Sequence, residues 1–377
     1  MSTTPIKYHL GKFPPENLDW RELIPLIGPA NASLARYDGL LSAIPNVHIL
    51  LSPLTTQEAV LSSKIEGTHV TIGEVLEIEA GGDGGSGISQ PKRDDAEEVI
   101  NYRTAMRACM AEVEAGRPLS QHILRAAHAT LMKGVRGRNK TPGQYRTEQN
   151  WIGRPRCKLE QASFIPISAA HLQSGMDEWE GYVRSVKEPD LIVQLAVLHV
   201  EFEALHPFTD GNGRIGRMLI PLFLAQRKLL ASPDFYMSGY LESNREEYIE
   251  RLREVSRSGN WTQWCAFFLR GVRQQAEENE KKARAILSLY DRLQAEVVEL
   301  THSQHSHRSV DFLFETPIFT APMFTNYSKI PKPTAARILD LMRRKGILLE
   351  LRKGKGRRAG VYAFRELLNL AEGKKVF

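Results

Sequence analysis

The sequence predicts a mainly α-helical protein with a little β-structure at two places, and three observations carry that expectation. From Asp94 to about Gln275 the apolar residues recur at helical spacing: Ala96, Val99, Ile100 and Ala105 mark one helix, and Ile123, Leu124, Ala127 and Leu131 another. After Pro189 comes a run with Leu191, Ile192, Val193, Leu195, Ala196, Val197, Leu198, Val200 and Phe202, apolar on nearly every face, as a helix inside a core must be. Strand-and-turn character is confined to the stretch from Trp151 to Pro166 and to two short runs near the end, 347–351 and 360–364.

Composition sets the outer bounds. With 377 residues, 42% apolar and 25% charged, the chain suffices for two or three packed modules and has none of the marks of a disordered protein. No apolar run reaches the roughly 20 residues that cross a bilayer. Residues 1–10 lack the charged start and apolar core of a signal peptide. The expectation is a soluble cytoplasmic protein with no membrane partner. Cys109, Cys157 and Cys265 lie far apart with no CxxC pair, which points to free thiols rather than a disulfide framework or a cysteine zinc site.

In chain order, the stretch to about Gly67 reads as helices joined by turns, one of them from Thr55 to Glu66. The segment Gly81 to Gly87 reads as a flexible surface loop, since a phosphate cradle would need the Gly-Lys-Ser/Thr ending that it lacks. A second apolar helix is expected from Met218 to Leu230, with Pro221 in its early turns. Glu277 to Glu299 reads as a charged helix leading to His302, His305 and His307. Those histidines have no acidic or cysteine partner and suit a polar linker better than a metal site. The division that follows is 1–93, an N-terminal helical region; 94–275, a central core; 276–308, a helical linker; and 309–377, a small C-terminal domain.

Positive charge gathers at that C-terminus. The net charge is +6, with 50 basic against 44 acidic residues, and from Arg343 to Lys375 eleven basic residues stand against Glu350, Glu366 and Glu372. Such a patch fits nucleic acid or another polyanion, and also fits a solvated surface. Pro317 to Tyr327 reads as the start of a small helical unit. Pro333 to Met342 reads as an amphipathic helix, followed by the two strand-like runs around the basic turn Arg352 to Arg358. Helix, strand, basic turn, strand resembles a winged helix-turn-helix domain. That resemblance implies a helix entering a DNA major groove and a wing on phosphates, although such modules also dock proteins.

The chemistry lies between the two apolar helices, in His206-Pro207-Phe208-Thr209-Asp210-Gly211-Asn212-Gly213-Arg214-Ile215-Gly216-Arg217. Gly211 and Gly213 permit backbone turns that aim successive N–H groups inward, and the following helix start adds unpaired N–H groups and a positive dipole end. Arg214 and Arg217 suit phosphate oxygens, and Asp210 suits a divalent cation bridging two phosphates. His206, with an ordinary pKa of roughly 6.5, can take a proton from an attacking hydroxyl. Singly, each residue reads as a cap or turn. Jointly, so many polar groups between buried helices would be costly without a ligand, and they describe phosphoryl or nucleotidyl transfer.

At every defined position His206 to Arg217 resembles the signature of the Fic family, His-Pro-Phe-x-Asp/Glu-Gly-Asn-Gly/Lys-Arg-x-x-Arg, and the likeness extends over roughly residues 15 to 275. The resemblance implies a helical Fic core with a small β-hairpin flap, and transfer of AMP from ATP to a Ser, Thr or Tyr hydroxyl of a protein, itself among the candidate targets. It implies His206 as base, Asp210 on Mg2+, and Gly211, Asn212, Gly213, Arg214, Ile215, Gly216 and Arg217 around the phosphates. Ser62-Ser63-Lys64-Ile65-Glu66-Gly67 is similar to the family's inhibitory motif, which implies that Glu66 pairs with Arg217 and blocks productive seating of the ATP γ-phosphate. By the same likeness Trp151, Ile152 and Gly153 fall in the flap that aligns a target chain by strand addition. Tyr240, Asn244 and Tyr248 fall where adenine is contacted; relatives often carry two adjacent tyrosines there, and this chain has Glu247 before Tyr248. Gly213 stands where the phosphate-transferring branch typically has lysine. Transfer of a different phosphate-containing group, or a DNA-binding regulator using the core to sense a ligand or partner, are the alternatives. A homodimer is a candidate assembly.

Overall fold

The computed structural model of the chain describes residues 4–44, 47–81, 88–134, 140–154, 157–231, 234–354 and 359–375. The glycine-rich residues 82–87 and the turn residues 355–358 lie outside them. The chain forms two units interleaved along the sequence: Met1–Asp38, Leu61–Glu66 and Asn101–Glu277 in one, Gly39–Val60, Gly67–Ile100 and Glu278–Phe377 in the other.

The first unit is built around the helix Leu191–Leu205, whose apolar run is buried on all sides. Asp190 caps it, its carboxylate accepting from the N–H groups of Ile192 and Val193 at 2.9 and 3.0 Å. The helices Ala169–Arg184, Asn212–Gln226 and Arg245–Ser258 pack against it. Trp179 and Trp264 bury their indoles there and donate to the carbonyls of Leu198 and Ala196 at 3.0 and 2.7 Å, so that neither ring leaves a polar N–H unmet.

Two expectations change in this unit. The second apolar helix begins at Asn212, six residues before Met218, which places Gly213, Arg214, Gly216 and Arg217 inside the helix and Pro221 near its middle. The polar sequence masked this start, because the first turn carries its functional groups inward instead of an apolar stripe. The expected hairpin is reduced to a single antiparallel bridge, Ile152 to Phe164, with N···O distances of 2.9 and 3.1 Å. An N-terminal strand, Ile6–Lys7, pairs in parallel with Phe164–Ile165. Two residues are too few to show a period of two, so the sequence gives no sign of it. Behind that strand Tyr8 and His9 are fixed to the core helix. Tyr8 donates to one Glu201 oxygen at 2.6 Å, and His9 Nε2 lies 2.8 Å from the other.

In the second unit Thr71 and Glu74 form a reciprocal capping box at the start of the helix Ile72–Glu79. The charged run expected from Glu277 to Glu299 is the later half of one helix, Trp261–Thr301. After it come the helix Ser306–Glu315, the strand Ile318–Thr320, the helices Ala321–Ser328 and Lys332–Arg344, and the strands Leu349–Arg352 and Val361–Ala363. The last strand lies in the middle of an antiparallel sheet, with Phe319 opposite Tyr362 and Leu349 opposite Ala363. Strand 318–320 was hidden in a segment that reads as purely helical. Its last residue, Thr320, caps the helix that follows, so strand and helix share one short stretch. Among the described residues no helix is long and apolar enough to cross a membrane, and no three His, Cys, Asp or Glu side chains are grouped to hold a metal.

Candidate active site

His206 ends the core helix in the left-handed region, φ 48° and ψ 59°, a costly conformation for a residue with a Cβ that must be held by its surroundings. What holds it is mostly Arg146. Its backbone N–H donates to the Pro207 carbonyl at 2.9 Å, and its guanidinium donates to the carbonyls of His206 at 3.0 Å, Leu205 at 3.3 Å, Glu148 at 3.1 Å, and Ile167. Asn150 adds a bond to the Phe208 carbonyl at 3.2 Å. Asn212 reaches back one turn and clamps Phe208 at both ends, accepting from its N–H and donating to its carbonyl, each at 2.8 Å. His128 stacks flat on Phe208, with ring centroids 3.8 Å apart.

Hydrogen bonds fix the state of each histidine. His206 Nδ1 lies 3.3 Å from the Glu203 carbonyl, which can only accept, so Nδ1 carries the proton and Nε2 is the free basic atom. Burial pushes its pKa down to about 4, against the opposing bond to Glu203, and the imidazole is neutral at physiological pH. His128 Nδ1 accepts from the Gly143 N–H at 2.9 Å, so Nε2–H donates to the Asp210 carbonyl at 3.0 Å. His199 donates from Nδ1 to the Gly216 carbonyl at 3.0 Å and accepts from the Tyr248 hydroxyl at 2.9 Å.

The anion-binding part is assembled next to these groups. Gly211 caps the helix Asn212–Gln226 at φ 79°, a conformation that only glycine adopts freely. The Asp210 carboxylate is half exposed; one oxygen accepts from the Gly211 N–H at 2.6 Å and lies 3.8 Å from Arg214, and the other lies 3.8 Å from Lys140. As the accessible carboxylate at this helix start, Asp210 is the residue that would hold a divalent cation, which would supply charge neutralisation to phosphates. Gly213 serves a different purpose from the turn expected of it. It is helical, and a Cβ there would stand 2.2 Å from Glu66 Oε1 and 2.9 Å from Arg217 Nη1. Glycine is needed for the approach of a carboxylate.

That carboxylate meets Arg217. The guanidinium is 1% exposed and donates to Glu66 at 2.6 Å, to the Ser62 hydroxyl at 2.8 Å and to the Ser62 carbonyl at 2.9 Å, while the Glu66 side chain keeps 39% of its surface open. Burial raises the Glu66 pKa, but the charge and hydrogen bond of Arg217, with Arg214 and His206 behind them, outweigh it and hold the group below its ordinary value. Arg245, donating to the Ile65 carbonyl, and Lys64, paired with Glu242 at 2.6 Å, pin the end of the helix Ser52–Ile65 that presents Glu66. Gly67 follows at φ 98°.

The structure therefore brings Ser62, Glu66, His206, Asp210, Gly211, Asn212, Gly213, Arg214 and Arg217 together. Ile215 and Gly216 face the core, Ile215 fully buried and Gly216 against Phe202 and Glu203. Tyr248 is 2% exposed, and its hydroxyl lies between His199 and the Arg217 guanidinium. Trp151 is 42% exposed with its indole N–H on the Cys157 carbonyl, Ile152 makes the bridge to Phe164, and Gly153 sits against Cys157. Arg146, Asn150, His128, His199, Glu203, Lys140 and Arg245 also stand at the site and carry no sign of it in the sequence. Most lie far from the signature in the chain, and no local spacing marks them.

A neutral histidine, a half-exposed carboxylate and two arginines on one helix start stand together on an α-helical scaffold, an arrangement suited to phosphate chemistry. The comparisons with known proteins make this specific. The chain matches the Fic/DOC family N-terminal region over residues 24–111 and the Fic/DOC family domain over residues 118–224, together about half of its length, and it belongs to that family. It is 28% identical over 207 residues to a probable protein adenylyltransferase, aq_aa38, of Aquifex aeolicus (strain VF5), covering 54% of this chain and 56% of the relative. It is 31% identical over 84 residues to the protein adenylyltransferase fic-1 of Caenorhabditis elegans, covering 22% of this chain and 15% of the relative. The chain thus spans little more than half of one curated relative and a small part of the other. A crystal structure of a Fic family protein from Desulfovibrio desulfuricans G20 superposes with a TM-score of 0.57 at 19% identity over 93% of this chain and 98% of that one, which shows the fold.

Proposed function

We propose that the chain is a protein adenylyltransferase, moving AMP from ATP to a Ser, Thr or Tyr hydroxyl of a protein and releasing pyrophosphate, with Glu66 as its brake. The observation that carries this reading is the Arg217 guanidinium, buried and shared with Glu66, on the same short loop and helix start as a neutral His206. His206 Nε2 takes the proton of the attacking hydroxyl as its oxygen bonds to the α-phosphorus. The bond to the β-phosphate bridging oxygen breaks, and pyrophosphate leaves with the electron pair. Arg214, Arg217 and the N–H groups after Gly211 take the negative charge. Asp210 would hold Mg2+, which adds charge neutralisation across the phosphates. While Glu66 holds Arg217, the γ-phosphate has no arginine, and ATP sits in an unreactive pose. Tyr248, placed between His199 and Arg217, is assigned to hold Arg217 in line. The names of the two relatives support the reaction, as does Gly213 in place of lysine.

Labelled ATP tests this directly. Glu66→Gly is expected to incorporate α-label into protein at least tenfold above the parent chain. Label arriving from γ-labelled but not from α-labelled ATP would show that phosphate, not AMP, is moved.

For residues 309–377 we propose a winged helix, read from the helices Ser306–Glu315, Ala321–Ser328 and Lys332–Arg344, a strand after the first of them, and two antiparallel strands followed by a closing helix, Arg365–Glu372. Arg343 and Arg344 on the outer side of Lys332–Arg344 support a nucleic-acid contact, although Asp340 pairs with both at 2.9 and 2.8 Å, and Arg337 is turned to the Thr301 carbonyl at 3.0 Å. DNA affinity is expected to fall steeply between 50 and 200 mM salt, roughly the range over which phosphate contacts are lost. No binding at the lower concentration removes the idea.

A further inference from the structure

A second carboxyl that the mechanism does not use, Glu203, lies within electrostatic reach of Arg217 without pairing with it. Glu203 projects from the core helix one turn before His206. Its carboxyl packs against Gly216, where any Cβ would stand 2.2 Å from Oε1, and that Oε1 is buried with no hydrogen-bond partner among the described residues. A buried carboxyl oxygen left unmet is uncommon in a folded chain, because it forfeits its hydration for nothing. The charged and titratable groups around it are Arg217 on the helix Asn212–Gln226, Glu66 at the end of Ser52–Ile65, Tyr248 on Arg245–Ser258, and His199 and His206 on its own helix. Arg217 attracts its charged form, and Glu66 repels it. With Glu66 ionised and already bonded to Arg217, a second negative charge has no place.

We propose that Glu203 is a reserve counter-ion for Arg217, a positioning residue that ionises when Glu66 leaves the guanidinium and takes up a proton when an ATP γ-phosphate arrives. The orphaned oxygen is then explained. It belongs to a neutral acid in the braked state and acquires its partner only when the brake is off. Burial, opposed by Arg217 and reinforced by Glu66, raises the Glu203 pKa to about 7, so the exchange falls in the physiological range. Removal of Glu66 takes away the repulsion and favours ionised Glu203; a bound γ-phosphate restores a negative neighbour and reverses it. No proton leaves the balance: the one released as Glu66 departs is taken back from solvent as ATP binds. Arg217 is never without a counter-charge, which keeps a fully buried guanidinium in place between the two states.

The inference rests on the reading that Arg217 receives the γ-phosphate, and the test separates the two. ATP binding in the presence of Mg2+ is measured from pH 6 to 8.5 for Glu66→Gly and for Glu66→Gly/Glu203→Gln, with AMP as the ligand that lacks a γ-phosphate. Glu66→Gly is expected to lose about tenfold more ATP affinity than the double variant across that range, the effect of one pKa unit of coupling. AMP affinity should differ little between them. ATP's own titration cancels in the comparison. Calorimetry of Glu66→Gly at pH 7 in two buffers of unlike ionisation enthalpy should show uptake of roughly half a proton with ATP and little with AMP, which needs no Glu203 variant. Equal pH profiles for the two proteins, or no proton uptake with ATP, overturn the role of Glu203. Absence of ATP binding by Glu66→Gly at every pH overturns the reading of the site and the inference with it.

Discussion

Alanine in place of His206, introduced into the Glu66→Gly protein, is expected to lower transfer of α-label by about two to four orders of magnitude, the usual worth of a general base, while ATP affinity changes only a few-fold. The loop should survive the change, because its supports do not use the imidazole. Arg146 and Asn150 bond to main-chain carbonyls, and Asn212 clamps Phe208 through its backbone. Alanine retains the His206 carbonyl. What is lost is Nε2, the one ring nitrogen not engaged by the Glu203 carbonyl. The pH profile carries a second signature. With its pKa held at about 4 by burial, His206 is already a free base at pH 6, so the Glu66→Gly protein should show no acid limb near the ordinary histidine value. Its rate should begin to fall from this cause only as the pH approaches 4 to 5. Label incorporation and ATP binding, measured on the same preparations, decide the matter. Unchanged incorporation in the double variant would remove His206 as the base, and loss of ATP binding would mean that the ring supports the nucleotide pocket instead.

Much of the fold was legible because its helices obey simple patterns. Leu191 to Phe202 is apolar on nearly every face and lies in the middle of its unit, and the stripes at Ala96–Ala105 and Ile123–Leu131 belong to the helices Gln90–Glu114 and Gln121–Leu131. The site was legible where its residues are contiguous. His206, Asp210, Arg214 and Arg217 stand within twelve positions, and the pairing of Glu66 with Arg217 followed from a resemblance that no spacing rule supplies. The illegible parts are those that act at a distance. Arg146 satisfies carbonyls of residues about sixty positions away, and nothing near it in the chain says so. Gly213 reads as a turn residue in one dimension. Only in three dimensions does it become the space into which Glu66 fits. Two-residue strands such as Ile6–Lys7 leave no periodicity to detect, and Thr320 both ends a strand and caps a helix.

Acid should unfold this protein early, and for an identifiable reason. His128 and His199 are fully buried and neutral, with burial pushing their pKa values to about 4 and about 3, well below the ordinary 6.5. The sign follows from proton counting: between those values and 6.5 the unfolded chain binds protons that the native protein refuses, so native stability rises with pH across that window. The full contribution is present above pH 6.5 and is lost progressively as the pH falls toward 4. Each histidine contributes a slope of up to about 1.4 kcal/mol per pH unit, so a fall from pH 6.5 to 4.5 is expected to remove on the order of 5 kcal/mol. That is a large share of the stability of an ordinary domain. Geometry explains why neither ring accommodates the extra proton. On His128 it would face the Gly143 N–H, and on His199 the Tyr248 hydroxyl would lose its acceptor. Urea midpoints at pH 7, 5.5 and 4.5 measure the loss, with His199→Gln expected to make the slope shallower by one histidine's share. A midpoint that stays level down to pH 4.5 would mean that the rings do not stay neutral in the native state. Activity should fall with stability here, because His128 holds the Asp210 carbonyl and His199 holds the Gly216 carbonyl next to Arg217.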